Sequence, residues 1–297
     1  MNELVIIVLN YNTRDITLDC LGSISKSNPD IPVVIVDNAS TDGSVRELVK
    51  IFPKYTMIAN KKNLGFAGGN NTALRKLHGK YRYYLLLNSD TLVEKVDLKD
   101  WVKIADSYHF DISGCYLIDN LGCFQPHSGL LPYFIPTFFW LSGLDDIMRK
   151  IVRLPSYQER DLKYYRKTRS VGWVGGMAMM ISNDSLDKIG YLDEKIFMYG
   201  EDVEYCLRAA KKNLKVGWVK EISIKHLGGA SLEKPQYNQW LGEIKGLRYI
   251  YKKHFVQIMP ILLYILLKIF IPVRALAFKV VGNDSYAKTY VSIYKSI

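Results

Sequence analysis

The octet YLLLNSDT, residues 84–91, runs four apolar or aromatic side chains straight into Asn88, Ser89 and Asp90. A continuous apolar run is what a strand covered on both faces requires, as in a parallel sheet between helix layers. Its polar end has two readings. Asn, Ser and Asp make turns by bonding their own backbone, and the C-terminal edge of a parallel sheet is where open α/β folds bind ligands. The flanking sequence repeats the pattern. LVIIVLNYN (4–12), VVIVDNAS (33–40) and YTMIAN (55–60) are further apolar runs with polar ends. Between them lie helical spacings: Ile16, Leu18, Leu21 and Ile24 within 15–27, with Thr13 or Asp15 near the start, then STDGSVRELVKIF (40–52). The glycine-rich NLGFAGGNN (63–71) leads into a helix bearing Ala73, Leu74 and Leu77, and LKDWVKIAD (98–106) and DISGCYLID (111–119) continue the alternation. Strand and helix at this spacing predict βαβ units and a mostly parallel sheet.

Four successive polar strand ends outline a crevice: Asn10-Tyr11-Asn12, Asp37-Asn38, Asn60 through Asn63, and Asn88-Ser89-Asp90. Asp37 can accept from a base N–H or a ribose hydroxyl, or close a turn; Asp42 suits the N-cap of the next helix. Gly65 and Gly69 permit close backbone approach, although neither common phosphate loop occurs. Asp90 is a carboxylate for a divalent cation, Mg²⁺ or Mn²⁺, which commonly takes one or two carboxylates and completes its shell with phosphates and water. His226, after an apolar strand in IKHLGG, is the candidate second ligand. In FMYGEDVEYCLRAAKKN (197–213), Glu201, Asp202 and Glu204 load the first turn of a helix. Acids there complement the helix dipole; equally, a rigid helix start beside Gly200 can present a general base.

Residues 124–170 break the alternation. FQPHSGLLPYFIPTFFWLSGL and the Tyr-rich stretch after it predict a long connection or flap. VGWVGGMAMMIS (171–182) predicts a strand, and VGWVKEISIKHLGG (216–229) another. Trp173 and Trp218 suit either sugar stacking or core packing.

The chain of 297 residues carries a net charge of +11, which suits nucleic acid, an anionic membrane or phosphorylated ligands. From residue 248 onward eight Lys or Arg stand against the single Asp284, around IMPILLYILLKIFIPVRALAF (258–278). Apolar residues interrupted by cations and prolines predict a helix lying in a membrane interface more than one spanning it. No nucleic-acid motif accompanies the charge. The four cysteines form no CxxC and are expected to be small buried hydrophobes in a reducing compartment. MNELVIIVLNYN lacks a basic n-region, so a cytoplasmic location is expected.

Taken together, VVIVDNASTDGS, NLGFAGGNN, LLLNSDT, the stretch from VGGMAMMISNDS to MYGEDVEYCLRAAKKN, and IKHLGGAS resemble the inverting family-two glycosyltransferases, in particular their rhamnosyltransferase-like branch. The resemblance implies a GT-A fold, a Rossmann-like, mostly parallel mixed sheet flanked by helices. It would span residues 1–230, with a nucleotide half (1–120) and an acceptor half (171–230). A basic, membrane-associating helical region (231–297) would follow. It implies transfer of a sugar from a nucleotide diphosphate, best dTDP-rhamnose with UDP-sugars as the alternative, to a saccharide or polyprenyl-linked acceptor in bacterial surface polysaccharide assembly. By the same resemblance Asn10, Tyr11, Asp37, Asn63, Gly65, Gly69, Asn88 and Ser89 line the donor site. Asp90 and His226 hold the divalent metal, Asp202 is the catalytic base, and Glu201 orients the acceptor. Position 88 departs from the D-x-D pattern, being Asn. The enzyme would sit on the inner membrane face, with a homo-oligomer possible. A sugar-nucleotide pyrophosphorylase would need a basic glycine-rich loop after its first strand, where LNYNTRD offers only Arg14. A non-catalytic scaffold would not need Asp90, Asp202 and His226 together.

Overall fold

The computed structural model describes residues 2–148, 150–228 and 237–297. The expected domain boundary at 230/231 lies outside the described residues. The first half is the anticipated alternation: β1 (Asn2–Asn10), α1 (Arg14–Ser27), β2 (Val33–Asp37), α2 (Ser44–Ile51), β3 (Thr56–Ala59), α3 (Gly65–Leu77), β4 (Tyr81–Asn88), β5 (Thr91–Leu92), α4 (Leu98–Tyr108) and β6 (Ile112–Ile118). Then come β7 (Ser128–Gly129), α5 (Phe134–Ser142), α6 (Leu144–Met148), β8 (Arg169–Ser170), β9 (Trp173–Val174), β10 (Ala178–Ser182), α7 (Asn183–Ile189), α8 (Glu201–Lys211) and β11 (Val216–His226). Three helices end the chain: α9 (Tyr237–His254), α10 (Ile258–Val280) and α11 (Asp284–Ser296).

Nine strands form one sheet in the order β3-β2-β1-β4-β10-β6-β11-β5, with β8 also on β11. The strands β3, β2, β1 and β4 run parallel, as do β6 and β11; β10 runs antiparallel between β4 and β6. The sheet is therefore mixed, and its helices cover both faces. Val5 and Ile7 enter one core layer while Leu4, Ile6 and Val8 enter the other. Each such fully buried aliphatic contributes about 1.5–3 kcal/mol.

The structure corrects several expectations. VGWVGGMAMMIS is two strands rather than one, β9 pairing with β7 in a small separate sheet and β10 entering the main one. The break falls on Gly175–Met177. Residues 124–170 are packed: α5 buries Trp140 and Leu141, and Tyr157, Tyr164 and Tyr165 are also interior. Trp140 and Tyr157 join the core shared with α10 while Tyr164 and Tyr165 pack on Trp218, which is why the composition lacked a strand or helix period. Trp218 is fully buried against Tyr164 and Tyr165, and Trp173 donates its indole N–H to Tyr157 O (2.7 Å), so both tryptophans are core. Glycine-rich NLGFAGGNN is mostly the first turns of α3 itself. Cys20, Cys115 and Cys206 are buried, but Cys123 is exposed on a turn closed by the Asp119 carboxylate. Asp42 accepts from Ser44 N–H (3.0 Å) and Arg14 N–H (2.9 Å), serving the starts of two helices, while the formal N-cap of α2 is Gly43.

Candidate active site

The parallel register sets Asn10 beside Asp37, Asp37 beside Ala59, and Leu9 beside Asn88, so these strands end level along one edge. Asn10 is buried and saturated. Its amide donates to Asp37 Oδ1 (2.6 Å) and Ser40 Oγ (3.0 Å), and its Oδ1 accepts from the hydroxyls of Thr13 (2.9 Å) and Thr17 (2.8 Å). The other oxygen of Asp37 accepts from Ser40 N–H (2.9 Å), a turn closure. Both residues thus shape the crevice floor. Tyr11 is 46% exposed above them, an aromatic face open to a ligand. Asn63 accepts from Gly65 N–H (2.9 Å) at the start of α3. A Cβ on Gly65, whose φ is +72°, would fall 2.2 Å from Phe197 O; one on Gly69 would fall 2.5 Å from Leu9 Cδ1. These two glycines let α3 and the 197 loop close on the sheet. Ser89 meets Thr13 (3.1 Å), joining the ends of β1 and β4, and the Asn88 side chain makes no hydrogen bond among the described residues.

Pairing of β5 with β11 sets His226 opposite Thr91, and hence beside Asp90. His226 Nε2 lies 3.4 Å from Asp90 Oδ1, a buried oxygen with no hydrogen-bond partner. Gln125 decides the tautomer. Its amide nitrogen donates to His226 O (3.3 Å), which turns Oε1 toward His226 Nδ1 at 2.7 Å. Nδ1 therefore donates to Gln125, and Nε2 is the ring nitrogen turned toward Asp90. An imidazole nitrogen and a carboxylate oxygen converging in this way, with the ring held from its far side by Gln125, fit a shared cation. A Cβ at Gly228 would come within 2.3 Å of Asp90 Oδ2 and 2.6 Å of His226 Nε2, so only glycine leaves this cradle open. Among the described residues no group of three or more His, Cys, Asp or Glu gathers for a metal. Two protein ligands suit Mg²⁺ or Mn²⁺ when phosphates and water complete the shell.

The start of α8 is set by consecutive left-handed residues, Tyr199 (φ 72°) and Gly200 (φ 102°). Asp202 Oδ2 accepts from Gly176 N–H and Oδ1 from Val203 N–H, at 2.9 and 2.8 Å. Gly176 is one residue before Met177, whose carbonyl accepts from Asn88 N–H (2.9 Å). Asp202 is therefore anchored to Gly176, the residue next to the one joined to Asn88, and Asn88 is two residues from Asp90. The antiparallel strand β10 brings the two carboxylates to one edge. Burial raises the pKa of Asp202, while the backbone N–H groups act against the rise. Buried Glu201 is pushed well above the usual range by desolvation and then by Asp202, and its Oε2 has no partner.

Two contributors escaped the sequence. Gln125 stands 101 residues from His226, and no local pattern marks it. Glu243 on α9 has its carboxyl pushed up to about 7, by burial first and in part by the Asp202 charge. Its unfolded-state value is near 4.5. As pH rises between these values, the unfolded chain ionises before the native one, so this group's stability contribution is lost as pH rises through about 7. Glu243→Gln is expected to raise the melting temperature above neutrality, by up to about 2–3 kcal/mol in stability, and to change little at acid pH. Melting curves of both proteins across pH check this, and a pH-independent difference counts against it.

Comparison with known proteins now bears on this geometry. Residues 5–126 match the model of Glycosyl transferase family 2. That segment carries a glycosyltransferase family 2 domain. Its relatives include the low-salt glycan biosynthesis hexosyltransferase Agl10 of Haloferax volcanii, 26% identical over 76% of this chain and 67% of that protein. The N-acetylglucosaminyl-diphospho-decaprenol L-rhamnosyltransferase of Mycobacterium tuberculosis is 24% identical over 64% of this chain and 62% of its own length. The mannosyltransferase PcManGT of Pyrobaculum calidifontis, solved with GDP-Man and Mn²⁺, superposes with a TM-score of 0.58 at 17% identity, over 98% of this chain and 73% of that one. The glycosyltransferase thus has the GT-A fold, with one long apolar helix near its C-terminus.

Proposed function

We propose that this glycosyltransferase moves a hexosyl group, L-rhamnose from dTDP-rhamnose by preference, from a nucleotide diphosphate to a saccharide or lipid-linked hydroxyl, with inversion. The product would enter a bacterial surface polysaccharide, made by a cytoplasmic enzyme seated peripherally on the inner membrane face. The observation that carries the reading is the anchoring of Asp202 beside the Asp90–His226 pair at one sheet edge. The named relatives, one hexosyl- and one L-rhamnosyltransferase, support the sugar class, and the latter's decaprenol-linked name supports a lipid acceptor.

Asp202 takes the proton of the acceptor hydroxyl as its oxygen bonds to the anomeric carbon. The carbon–oxygen bond to the pyrophosphate breaks on the opposite face, and the nucleoside diphosphate leaves with the electron pair. Asp202 suits a base because both its oxygens are fixed by backbone N–H groups, so its lone pairs are aimed before substrate arrives. Asn10, Asp37, Tyr11, Asn63, Gly65 and Gly69 form the nucleotide end of the crevice, with Asn88 and Ser89 toward the phosphates. Buried Glu201, kept neutral, can donate to an acceptor oxygen. Mg²⁺ or Mn²⁺ held by Asp90 Oδ1 and His226 Nε2 would neutralise charge on the leaving pyrophosphate.

Chelation by EDTA is expected to lower transfer, and Mn²⁺ or Mg²⁺ to restore it in the native enzyme but not in Asp90→Ala. Activity indifferent to EDTA removes the cation from this site. Thermal shifts against dTDP-, UDP- and GDP-sugars, followed by the anomeric configuration of the product, test the donor and the inversion. A retained configuration would overturn the single-base mechanism.

A further inference from the structure

We infer that the outer face of α10 and the basic edge of α9 form one docking surface for an anionic phospholipid bilayer, with α10 lying in its plane. The inference rests on the membrane seat of the proposed transferase, and names the face that makes it. By length and composition α10 could cross a membrane. Its packing says otherwise. Leu263, Leu266, Leu267, Ile271 and Ala275 are buried in the core shared with α5, α9 and α11. Within the helix, Arg274 donates to Leu141 O (2.9 Å) and to Trp140 O at the end of α5, and to Tyr290 Oη (3.2 Å). Lys268 lies over the Tyr294 ring at 4.3 Å. One face and both interior cations are thus committed to the protein, which a free span would forbid.

The opposite face carries Ile258, Ile261, Ile265, Ile269, Leu276 and Val280, between 45% and 78% exposed. Their spacing draws a single apolar line along the helix, roughly 33 Å long. A row of this length is more than isolated surface hydrophobes explain. At its N-terminal end a groove of about 400 Å³ separates Pro260, Ile261 and Tyr264 from Lys245, Arg248 and Lys252. These three cations share one face of α9, and none meets a carboxylate among the described residues. Isoleucines beside unpaired cations suit acyl chains beside headgroup phosphates. A second copy of this chain is a poorer occupant. From residue 248 to the end only Asp284 is acidic, so self-pairing there brings like charges together.

This surface is coupled to the catalytic helix. A Cβ on Gly246 would lie 2.3 Å from Tyr199 O, and one on Gly242 would lie 2.6 Å from Tyr199 Cδ2, so α9 rests directly on the turn that starts α8.

Flotation of the full chain with phosphatidylglycerol–phosphatidylcholine vesicles, against phosphatidylcholine alone, tests the inference. Binding should require the anionic lipid and fall with salt. K245Q/R248Q/K252Q should weaken it about a hundredfold, given roughly fivefold for each cation near the surface. Ile265→Ser with Ile269→Ser should weaken it independently, and melting curves would confirm that both variants fold. Equal binding to neutral vesicles, no loss in either variant, or resistance of the bound protein to alkaline carbonate extraction would overturn it. So would dimerisation that both variants abolish while vesicle binding persists. No donor or acceptor is present in the assay, so a wrong donor assignment leaves its result untouched.

Discussion

Asp202→Asn is expected to keep nucleotide-sugar binding while turnover falls by about 10²–10⁴, the usual share of a positioned general base. The amide cannot remove a proton. It also cannot accept both backbone bonds, since one of its two termini is a donor facing Gly176 or Val203 N–H. That mismatch costs about 1–3 kcal/mol of stability, well short of unfolding a domain of ordinary stability. Donor titration by thermal shift separates the two effects. A variant that binds donor and turns over like the native enzyme would remove Asp202 from the base role; one that fails to bind donor would make it structural.

The second large effect falls on Glu204. Its carboxylate is fully buried. It accepts from Arg208 Nε (2.8 Å), Lys253 Nζ (2.7 Å) and His254 Nε2 (2.8 Å), so it ties α8 to α9. Lys211 Nζ lies 3.3 Å from His254 Nδ1, consistent with a neutral imidazole, and burial lowers the pKa of His254 accordingly. Burial alone would raise the Glu204 pKa, but Arg208, Lys253 and His254 outweigh it and hold the group below its ordinary value. Its contribution is therefore present above the unfolded carboxylate pKa and lost as pH falls through the lower native one. Glu204→Ala leaves Arg208 to the carbonyls of Ile189 and Tyr191 and Lys253 to Asp193 (2.7 Å), and is expected to cost about 3 kcal/mol. Urea or thermal unfolding measures this. A loss under about 1 kcal/mol would mean the cations find water when the carboxylate goes.

The amino-acid order made the first four parallel strands legible because each is a continuous apolar run that only a doubly covered strand needs. It also marked the polar strand ends, and the family resemblance singled out Asp90, His226 and Asp202 as candidates. What it did not show is how they meet. The strand β10 reads as part of one strand with β9, because Gly175 and Gly176 look like ordinary strand glycines until the antiparallel register separates them. By residue type and spacing alone, Glu201, Asp202 and Glu204 read alike as first-turn acids. Their divergence, into an orphaned buried acid, a backbone-anchored carboxylate and an ion-network centre, depends on neighbours far away in the chain. The 124–170 stretch read as a flap because its aromatics pack partly against α10 and partly against Trp218 rather than along a repeating face. Gln125, which fixes the tautomer of His226, lies at the start of that stretch.

Hydrogen stands in place of a side chain at 242 and 246, and this has a mechanical corollary. With nothing compressible between the helix axis and peptide 199–200, a rotation of one cannot be absorbed before it reaches the other. On the proposed reading, the tilt of that rod against a flat sheet of lipid would also set the direction from which a hydroxyl comes to give up its proton.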